Sequence, residues 1–295
     1  MPGGVKVEFL YTYEAFKLEL PLVPPERADF VILGVPFDGT TSYKSGARFG
    51  PTLIRQATLN LETYVLDYDV DVSSVGVADI GDVAVVAGNP RETADRVRET
   101  VEELKKANPR AIPVLLGGEH SQTLGAVEAL KPKSYVVFDA HLDLRDSYED
   151  NPYNHACVAR RIAELGVKEA MFGIRSGTRE EVEFAGESGI RWVHARDYDF
   201  DSFVELVRPL PEPVYLSVDI DVFDLSLVPT TGTPEAGGLG FWDVVEAIEW
   251  LVENKRIAGF DIMEVAGETL GNPTALTAAK LLFYFIGAME KMGRS

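Results

Sequence analysis

The sequence alternates short, continuous apolar runs with helical patterns, and this alternation restricts the possible folds more than any other feature. Phe30–Val35 contains only apolar residues and one glycine, and Gly50 and Pro51 then open a helix with proline in its first turn, where it is well tolerated. The predicted strands are Phe30–Val35, Ile112–Leu116, Tyr135–Phe138, Ala170–Ile174, Ile190–Val193, Val214–Val218 and Ile257–Ile262. The predicted helices begin at Gly50 and continue with Arg91–Lys106, Ser121–Leu130, Ala156–Leu165, Arg179–Ala185, Phe203–Val207, Phe241–Val252 and Ala275–Met289.

Strands that are apolar along their whole length are typical of a parallel sheet buried on both faces. Right-handed crossovers place the connecting helices on both sides of such a sheet. The pattern therefore predicts an α/β fold, a three-layer α/β/α sandwich with a central parallel sheet. No linker interrupts the chain, so we expect a single domain over residues 1–295 with an N-terminal arm at 1–28. In such folds ligands bind at the carboxyl ends of the strands.

Composition narrows the range of functions. Lys and Arg total 28 against 47 Asp and Glu, a formal net charge of −19, which disfavours nucleic acid as a partner and suits cationic ligands and metal ions. The single cysteine excludes an internal disulfide and a thiolate metal cluster. The longest apolar stretch, Ala275–Met289, is interrupted by Lys280 and is shorter than the roughly 20 residues of a membrane span. The opening residues do not resemble a secretory signal, so we expect a cytoplasmic protein without a membrane partner.

Four of the predicted strands end in acidic or imidazole side chains. Side chains two residues apart share a face of an extended chain, so the spacing predicts that Asp139, His141 and Asp143 point the same way, and that Asp219 and Asp221 do so too. The groups are Glu119 and His120; Asp139, His141 and Asp143; Asp219 and Asp221; and Asp261 and Glu264.

Carboxylates brought so close together cannot all stay ionised without a compensating cation. Oxygen-rich sites with some imidazole and no sulfur favour Mn²⁺, Mg²⁺ or a related ion. Each acid taken alone is better explained as a solvated strand end or a helix cap, but two spaced rows, from Asp139 and from Asp219, favour a metal site.

Three of these segments resemble the metal-binding signatures of the ureohydrolase (arginase/agmatinase) family, in the family's order. They are Gly117–Ser121, Asp139–Asp143 and Ser217–Asp221. Glu119 departs from the aspartate common in the first signature, at a position that is not a metal ligand. The resemblance covers the chain from about Ala28 onward and implies an arginase-like fold. Further matches to the family are Val35–Thr40, Ser45–Pro51, Thr231–Gly238 and Asp261–Val265.

The resemblance also implies a mechanism. Two manganese ions per subunit would activate a water that attacks a guanidinium carbon, giving urea and an amine. Glu264 would orient the guanidinium through paired hydrogen bonds, and His155 would transfer a proton to the leaving amine; Asp143 is counted with them among the catalytic residues. The implied ligands are His120, Asp139, Asp143 and Asp219 for one ion, and Asp139, His141, Asp219 and Asp221 for the other.

The segment expected to cover the pocket, 145–154, contains three acids and one arginine and lacks the serine and asparagine pattern with which arginases hold an amino acid. We therefore predict agmatine as substrate and putrescine as product, in polyamine biosynthesis. Aminopropylagmatine, guanidinobutyrate and arginine stay open as alternatives, and the family resemblance implies a homo-oligomer, a trimer or hexamer. A single-zinc deacetylase and a non-catalytic protein on the same fold are disfavoured, because His141 and Asp221 are retained and no ligand is missing.

Overall fold

The computed structural model describes residues 8–267, 269 and 271–292, so residues 1–7 of the predicted arm lie outside the described part. Within these residues the strands are β1 (Thr12–Tyr13), β2 (Phe30–Val35), β3 (Tyr64–Val65), β4 (Val70–Asp71), β5 (Val77–Val83), β6 (Ile112–Gly117), β7 (Ser134–Phe138), β8 (Lys168–Ile174), β9 (Arg191–His194), β10 (Val214–Asp219) and β11 (Ile257–Met263). The α-helices are α1 (Gly50–Ala57), α2 (Pro90–Ala107), α3 (Thr123–Leu130), α4 (Val158–Glu164), α5 (Arg179–Ser188), α6 (Phe200–Val207), α7 (Phe241–Asn254) and α8 (Pro273–Lys291).

The main sheet confirms the predicted parallel architecture. Its order is β1-β5-β2-β6-β11-β10-β7-β8-β9, and every neighbouring pair is parallel except β1 with β5. The short strands β3 and β4 form a separate antiparallel pair. The arm that the sequence places before residue 28 thus contributes an edge strand, β1, to the sheet.

Helices cover both faces of the sheet and give three layers. Along β7, Val136 and Phe138 pack into one core with residues of α1, α6, α7 and α8. The alternate residues Tyr135 and Val137 pack into a second core with residues of α2, α3, α4 and α5. Burial on both faces explains why the central strands read as uninterrupted apolar runs. No helix in the described ranges has both the length and the apolarity that crossing a bilayer demands.

Strand β5 is missing from the sequence prediction because two acids and a glycine interrupt its apolar residues. The structure buries these acids against Arg55 of α1, whose side chain is itself fully buried. Arg55 Nε lies 2.9 Å from Asp79 Oδ2, and Nη1 lies 2.5 Å from Asp82 Oδ1. Buried carboxylates need such cationic partners. Because the partner here belongs to a helix that is distant in the sequence, the strand itself has no residue pattern that predicts it.

Candidate metal centre

The four strands with acidic or imidazole ends are neighbours in the middle of the sheet, in the order β6-β11-β10-β7. Because they are parallel, their carboxyl ends meet at one edge. All six predicted metal ligands lie there. They are His120 after β6, Asp139, His141 and Asp143 after β7, and Asp219 and Asp221 at the end of β10.

Three carboxylates surround one nitrogen of His120. Its Nδ1 lies 3.1 Å from Asp139 Oδ2, 3.2 Å from Asp219 Oδ2 and 3.5 Å from Asp143 Oδ2. All four side chains are buried. Potential ligand atoms of His120, Asp139 and Asp143 lie within 4.8 Å of one another, the spacing that a shared metal ion requires.

A second group of ligand atoms lies beside the first. His141 Nδ1 is 3.1 Å from Asp221 Oδ2 and 3.7 Å from Asp139 Oδ1, and ligand atoms of these three residues also lie within 4.8 Å of one another. Asp139 belongs to both groups, one oxygen facing His120 and the other facing His141. Asp139 is thus common to both groups of potential ligand atoms.

The sequence predicts that an extended backbone brings these side chains together. That prediction is wrong, because the chain turns at these positions. Strand β7 ends at Phe138, and Asp143 has a positive φ of 50°. Asp139 Oδ1 accepts the backbone N–H of His141 at 2.7 Å, and Asp219 Oδ1 accepts that of Asp221 at 3.0 Å. Each aspartate therefore forms a tight turn with the residue two positions on, which leaves its Oδ2 facing the cluster.

Hydrogen bonds behind the His120 ring fix its tautomer. Asp261 is fully buried and accepts a hydrogen bond of 2.5 Å from Ser217 Oγ. Its other oxygen accepts from the hydroxyls of Tyr215 and Thr123, at 2.8 and 2.7 Å. Because Ser217 donates its proton to Asp261, it accepts from His120 Nε2, 2.9 Å away. His120 Nε2 also lies 3.1 Å from the hydroxyl of Tyr135. The shorter contact with Ser217 favours the tautomer of neutral His120 that carries its proton on Nε2, in which Nδ1 presents a lone pair to the carboxylates.

These residues fit a divalent metal ion. His120 Nδ1 and Asp139 Oδ2 are buried and have no hydrogen-bond partner among the described residues. A lone pair facing carboxylate oxygens is repulsive unless a cation or a proton lies between them. Oxygen donors with imidazole and no sulfur suit Mn²⁺ or Mg²⁺.

The pKa shifts of the clustered residues also indicate that the cluster is stabilised by positive charge. Burial alone lowers the pKa of His141, but the charges and hydrogen bonds of Asp221 and Asp139 outweigh it and raise that pKa to about 12. Burial and the charge of Asp139 raise the pKa of Asp143 to about 7. Burial, together with the charges of Asp221 and Asp139, also raises the pKa of Asp219. Without a metal the cluster takes up protons, so metal binding releases them.

A pocket next to the cluster contains Glu264 in its wall, together with His141, Asp143 and Asp219. Glu264 follows β11 with a positive φ of 62°, and its Oε1 accepts the backbone N–H of His120 at 2.8 Å. A Cβ at Gly232 would lie 2.9 Å from Glu264 Oε2, so glycine keeps that oxygen uncrowded. Burial and the charge of Glu119 raise the pKa of Glu264, and a cation in the pocket would favour its ionised form.

His155 lies in the wall of the same pocket. It begins a short 3₁₀ turn, His155–Cys157, and its Nε2 lies 3.4 Å from Ser42 Oγ. The ring of Tyr148 contacts it edge-on, with the ring centroids 6.4 Å apart. Burial lowers the pKa of His155 to about 4, so the ring is neutral near pH 7 and can accept a proton.

Two further acids at the strand ends, Glu119 and Asp261, are identified from the sequence, but their supporting contacts are not predicted from it. Asp261 supports His120 from behind rather than joining the acids around it. Glu119, which the sequence analysis leaves out of the metal ligands, is fully buried and accepts hydrogen bonds from Thr40. The sequence signal for such a residue is an acid inside an apolar run, as in Ile257–Met263, because a buried carboxylate requires hydrogen-bond donors. The identity of those donors comes only from the fold.

Comparison with known proteins places the chain among close relatives. A family model described as "Arginase family" matches residues 28–287. A Thermococcus kodakarensis protein named N(1)-aminopropylagmatine ureohydrolase is 82% identical over 98% of this chain and 100% of its own length. A Pyrococcus horikoshii protein named agmatinase is 66% identical over 94% of this chain and 98% of its own length.

Solved structures agree with this result. Agmatine ureohydrolase of Thermoplasma volcanium superposes with a TM-score of 0.86 at 38% identity, covering 95% of this chain and 96% of that one. Proclavaminate amidino hydrolase of Streptomyces clavuligerus gives a TM-score of 0.85 at 30% identity, covering 96% and 99%. The chain therefore has the arginase-like fold, and it belongs to the arginase family of ureohydrolases.

Proposed function

We propose that this protein is a binuclear-metal hydrolase that removes urea from a linear guanidino amine. The observation that carries the proposal is the position of Asp139, whose two oxygens face two imidazoles from separate segments. A carboxylate shared in this way suits a pair of cations, as in two-metal hydrolytic sites.

Manganese is the metal that we propose, two ions per chain. The oxygen-rich donor set supports a hard or borderline divalent ion, and membership of the arginase family adds support for metal dependence. When bound, such ions lower the pKa of a water molecule and supply a nucleophile near neutral pH. The residues proposed to hold them are His120, Asp139, His141, Asp143, Asp219 and Asp221.

Glu264 is proposed to bind the guanidinium group. One of its oxygens is anchored by the backbone N–H of His120, and Gly232 leaves the other uncrowded. A planar guanidinium pairs with a carboxylate through two parallel hydrogen bonds. Binding it to Glu264 would fix the guanidinium carbon beside the metal cluster, because Asp143 and Asp219 line the same pocket.

His155 is proposed to carry a proton to the departing amine. Its ring is neutral near pH 7 because burial lowers its pKa to about 4, so it can accept a proton and pass it on as the carbon–nitrogen bond breaks. It shares the pocket wall with Glu264 and Asp143, which supports this role.

N1-aminopropylagmatine is the substrate that we propose first. The 82% identical relative is named for it, and the 66% identical relative is named agmatinase, so agmatine, favoured by the sequence analysis, is the second candidate. The segment near the pocket mouth supports a substrate with additional amines, since Glu149 and Asp150 are exposed there, whereas the exposed Asp146 is paired with Arg161 at 3.0 Å. Exposed acids of this kind attract polycations.

A comparison of substrates tests this choice. We expect the Mn²⁺-loaded protein to release urea from N1-aminopropylagmatine with a kcat/KM at least about tenfold above that for agmatine, one additional charge-assisted contact being about 1.4 kcal/mol or more. Arginine and guanidinobutyrate should react far more slowly, because their carboxylates meet an acidic mouth. Urea is measured directly, with a chelator-treated sample as control. A preference for arginine would overturn the substrate proposal.

The hydrogen bonds behind His120 give a second expectation. In Asp261→Asn, Ser217 no longer has a carboxylate that holds its proton, so the His120 tautomer that suits metal binding is less favoured. We expect Mn²⁺ affinity to fall about 10- to 100-fold, as for other supports of metal-bound histidines. Isothermal titration of the metal-free variant measures this. Asp199→Asn, on the surface cap of α6, is the control and should bind Mn²⁺ like the wild type.

A cytoplasmic location and assembly into trimers or hexamers also stay predictions. The first follows from the sequence and the second from the family resemblance. Light scattering coupled to gel filtration measures the assembly directly, and a monomer at micromolar concentration would contradict the second expectation.

A further inference from the structure

Glu119 connects the first metal-ligand segment to a loop on the other side of the pocket. Its side chain is fully buried, and its Oε2 accepts the backbone N–H of Thr40 at 2.7 Å. Its Oε1 accepts the hydroxyls of Thr40 and Ser121, each at 2.6 Å. Three donors therefore converge on one carboxylate, which holds Thr40 by both its backbone and its side chain.

Thr40 in turn contacts His155 twice. Its Oγ1 accepts the backbone N–H of His155 at 3.0 Å and lies 3.2 Å from His155 Nδ1. Because the hydroxyl proton of Thr40 points to Glu119, Oγ1 can only accept from the imidazole. The proton of neutral His155 is therefore on Nδ1, and Nε2 has its lone pair free, on the side of Ser42 and the pocket.

From this chain of contacts we infer that Glu119, acting through Thr40, is a positioning residue that sets the tautomer and ring orientation of His155. The inference rests on the role proposed above for His155. It adds two residues to the machinery of the reaction, Glu119 and Thr40, which lie behind the residues that line the pocket. The same device appears at the metal site, where Asp261 acts on His120 through Ser217. Each imidazole is thus oriented by a buried carboxylate through a hydroxyl group.

The loop geometry explains why the carboxylate can act at this distance. Glu119 N–H donates to Phe37 O at 2.7 Å, and Asp38 Oδ2 accepts Gly46 N–H at 3.0 Å. The first bond connects the start of the loop 38–46 to the segment that follows β6. The second bond joins the two ends of the loop. Asn154 Nδ2 also donates to Thr40 O at 3.4 Å, so Thr40 is fixed from both sides before a substrate arrives.

Thr40→Val tests the inference with little change of shape. Loss of the hydroxyl should lower kcat about 10- to 100-fold, the usual cost of a misplaced catalytic group, while KM changes less than about threefold and Mn²⁺ content is unchanged. Thr40→Ser retains the hydroxyl and should recover most of kcat. Thr41→Val, in the same loop, is the matched control, because Thr41 Oγ1 donates to the Asp38 carbonyl and, within the described part of the chain, not to Glu119 or His155, and it should behave as the wild type. Equal activity of Thr40→Val and wild type would overturn the inference.

A double-mutant cycle shows whether Thr40 acts through His155. In a His155→Asn background, Thr40→Val should cost less than about twofold, since the group that it positions is gone. If the two effects multiply instead, Thr40 acts by another route and the inference is wrong.

The tautomer itself has a readout independent of turnover. The chain has four histidines, so ¹⁵N imidazole spectra can be assigned by substitution. We expect protonated Nδ1 for His155 in the wild type and a shift of the proton towards Nε2 in Thr40→Val and Glu119→Gln. A His155 tautomer unchanged by both substitutions would contradict the inference. Failure to release urea from any guanidino substrate, with these spectra as expected, would instead refute only the proposed function.

Discussion

Asp139→Ala should lose divalent-metal binding at both halves of the cluster and lower urea release at least about 1,000-fold. The side chain faces His120 with one oxygen and His141 with the other, so its loss leaves Asp219, whose Oδ2 lies 3.2 Å from His120 Nδ1, as the single other shared ligand that the family resemblance implies. Loss of a metal-activated water removes several kcal/mol of transition-state stabilisation, and each 1.36 kcal/mol is a tenfold change in rate. Metal content after dialysis and urea release measure the two effects.

Two companion variants separate the metal role of Asp139 from its structural role. Asp139→Asn can still accept the His141 backbone N–H that closes the turn, but it lacks the charge, so we expect the same loss of metal. Asp71→Ala removes a similar turn on the surface, where Asp71 Oδ1 accepts Ser73 N–H at 3.0 Å, and should leave metal content and activity unchanged. Substantial activity in Asp139→Ala with bound manganese would refute the shared-ligand proposal.

Glu264→Gln should reduce kcat/KM on the order of 100-fold while metal content stays that of the wild type. The substitution preserves size and the contact with His120 N–H but removes the charge that pairs with a guanidinium. Hydrogen bonds to charged groups contribute about 1.5–3 kcal/mol, and loss of the negative charge in a buried pocket adds to this. Steady-state kinetics with N1-aminopropylagmatine and agmatine provide the measurement.

Glu180→Gln is the matched control for this substitution. It removes the same charge from an exposed position in the first turn of α5. Solvent screens charges at such positions, so the substitution should have little effect on activity. A Glu264→Gln enzyme as active as Glu180→Gln would show that Glu264 does not bind the reacting group. Loss of manganese in Glu264→Gln would instead show that it supports the metal cluster.

The location of the site is predictable from sequence because its residues are local to strand ends. Asp139, His141 and Asp143 lie within five positions, and the parallel sheet aligns that segment with the ends of its neighbours. The predicted extended spacing gives the right convergence for the wrong reason, since Asp139 and Asp219 act through turns. Residue type and order are sufficient to identify the cluster, but they do not predict the backbone turns that form it.

The supporting contacts could not be predicted in this way, because they join residues distant in the chain. Thr40 lies 79 positions from Glu119 and 115 from His155, and Ser217 lies 44 from Asp261. No periodicity relates such pairs, and a threonine or serine is unremarkable wherever it occurs. Strand β5 is missed for the same physical reason, since its acids are neutralised by Arg55 of another element.

The stoichiometry of Mn²⁺ binding to the metal-free, full-length protein tests the central claim most directly. Calorimetric titration with elemental analysis should give two ions per chain in the wild type, with protons released on binding, and Asp139→Ala should bind none tightly. Binding of a single ion that survives Asp139→Ala, or no binding by a folded wild type, would contradict the account of Asp139 as the carboxylate that joins two metal sites.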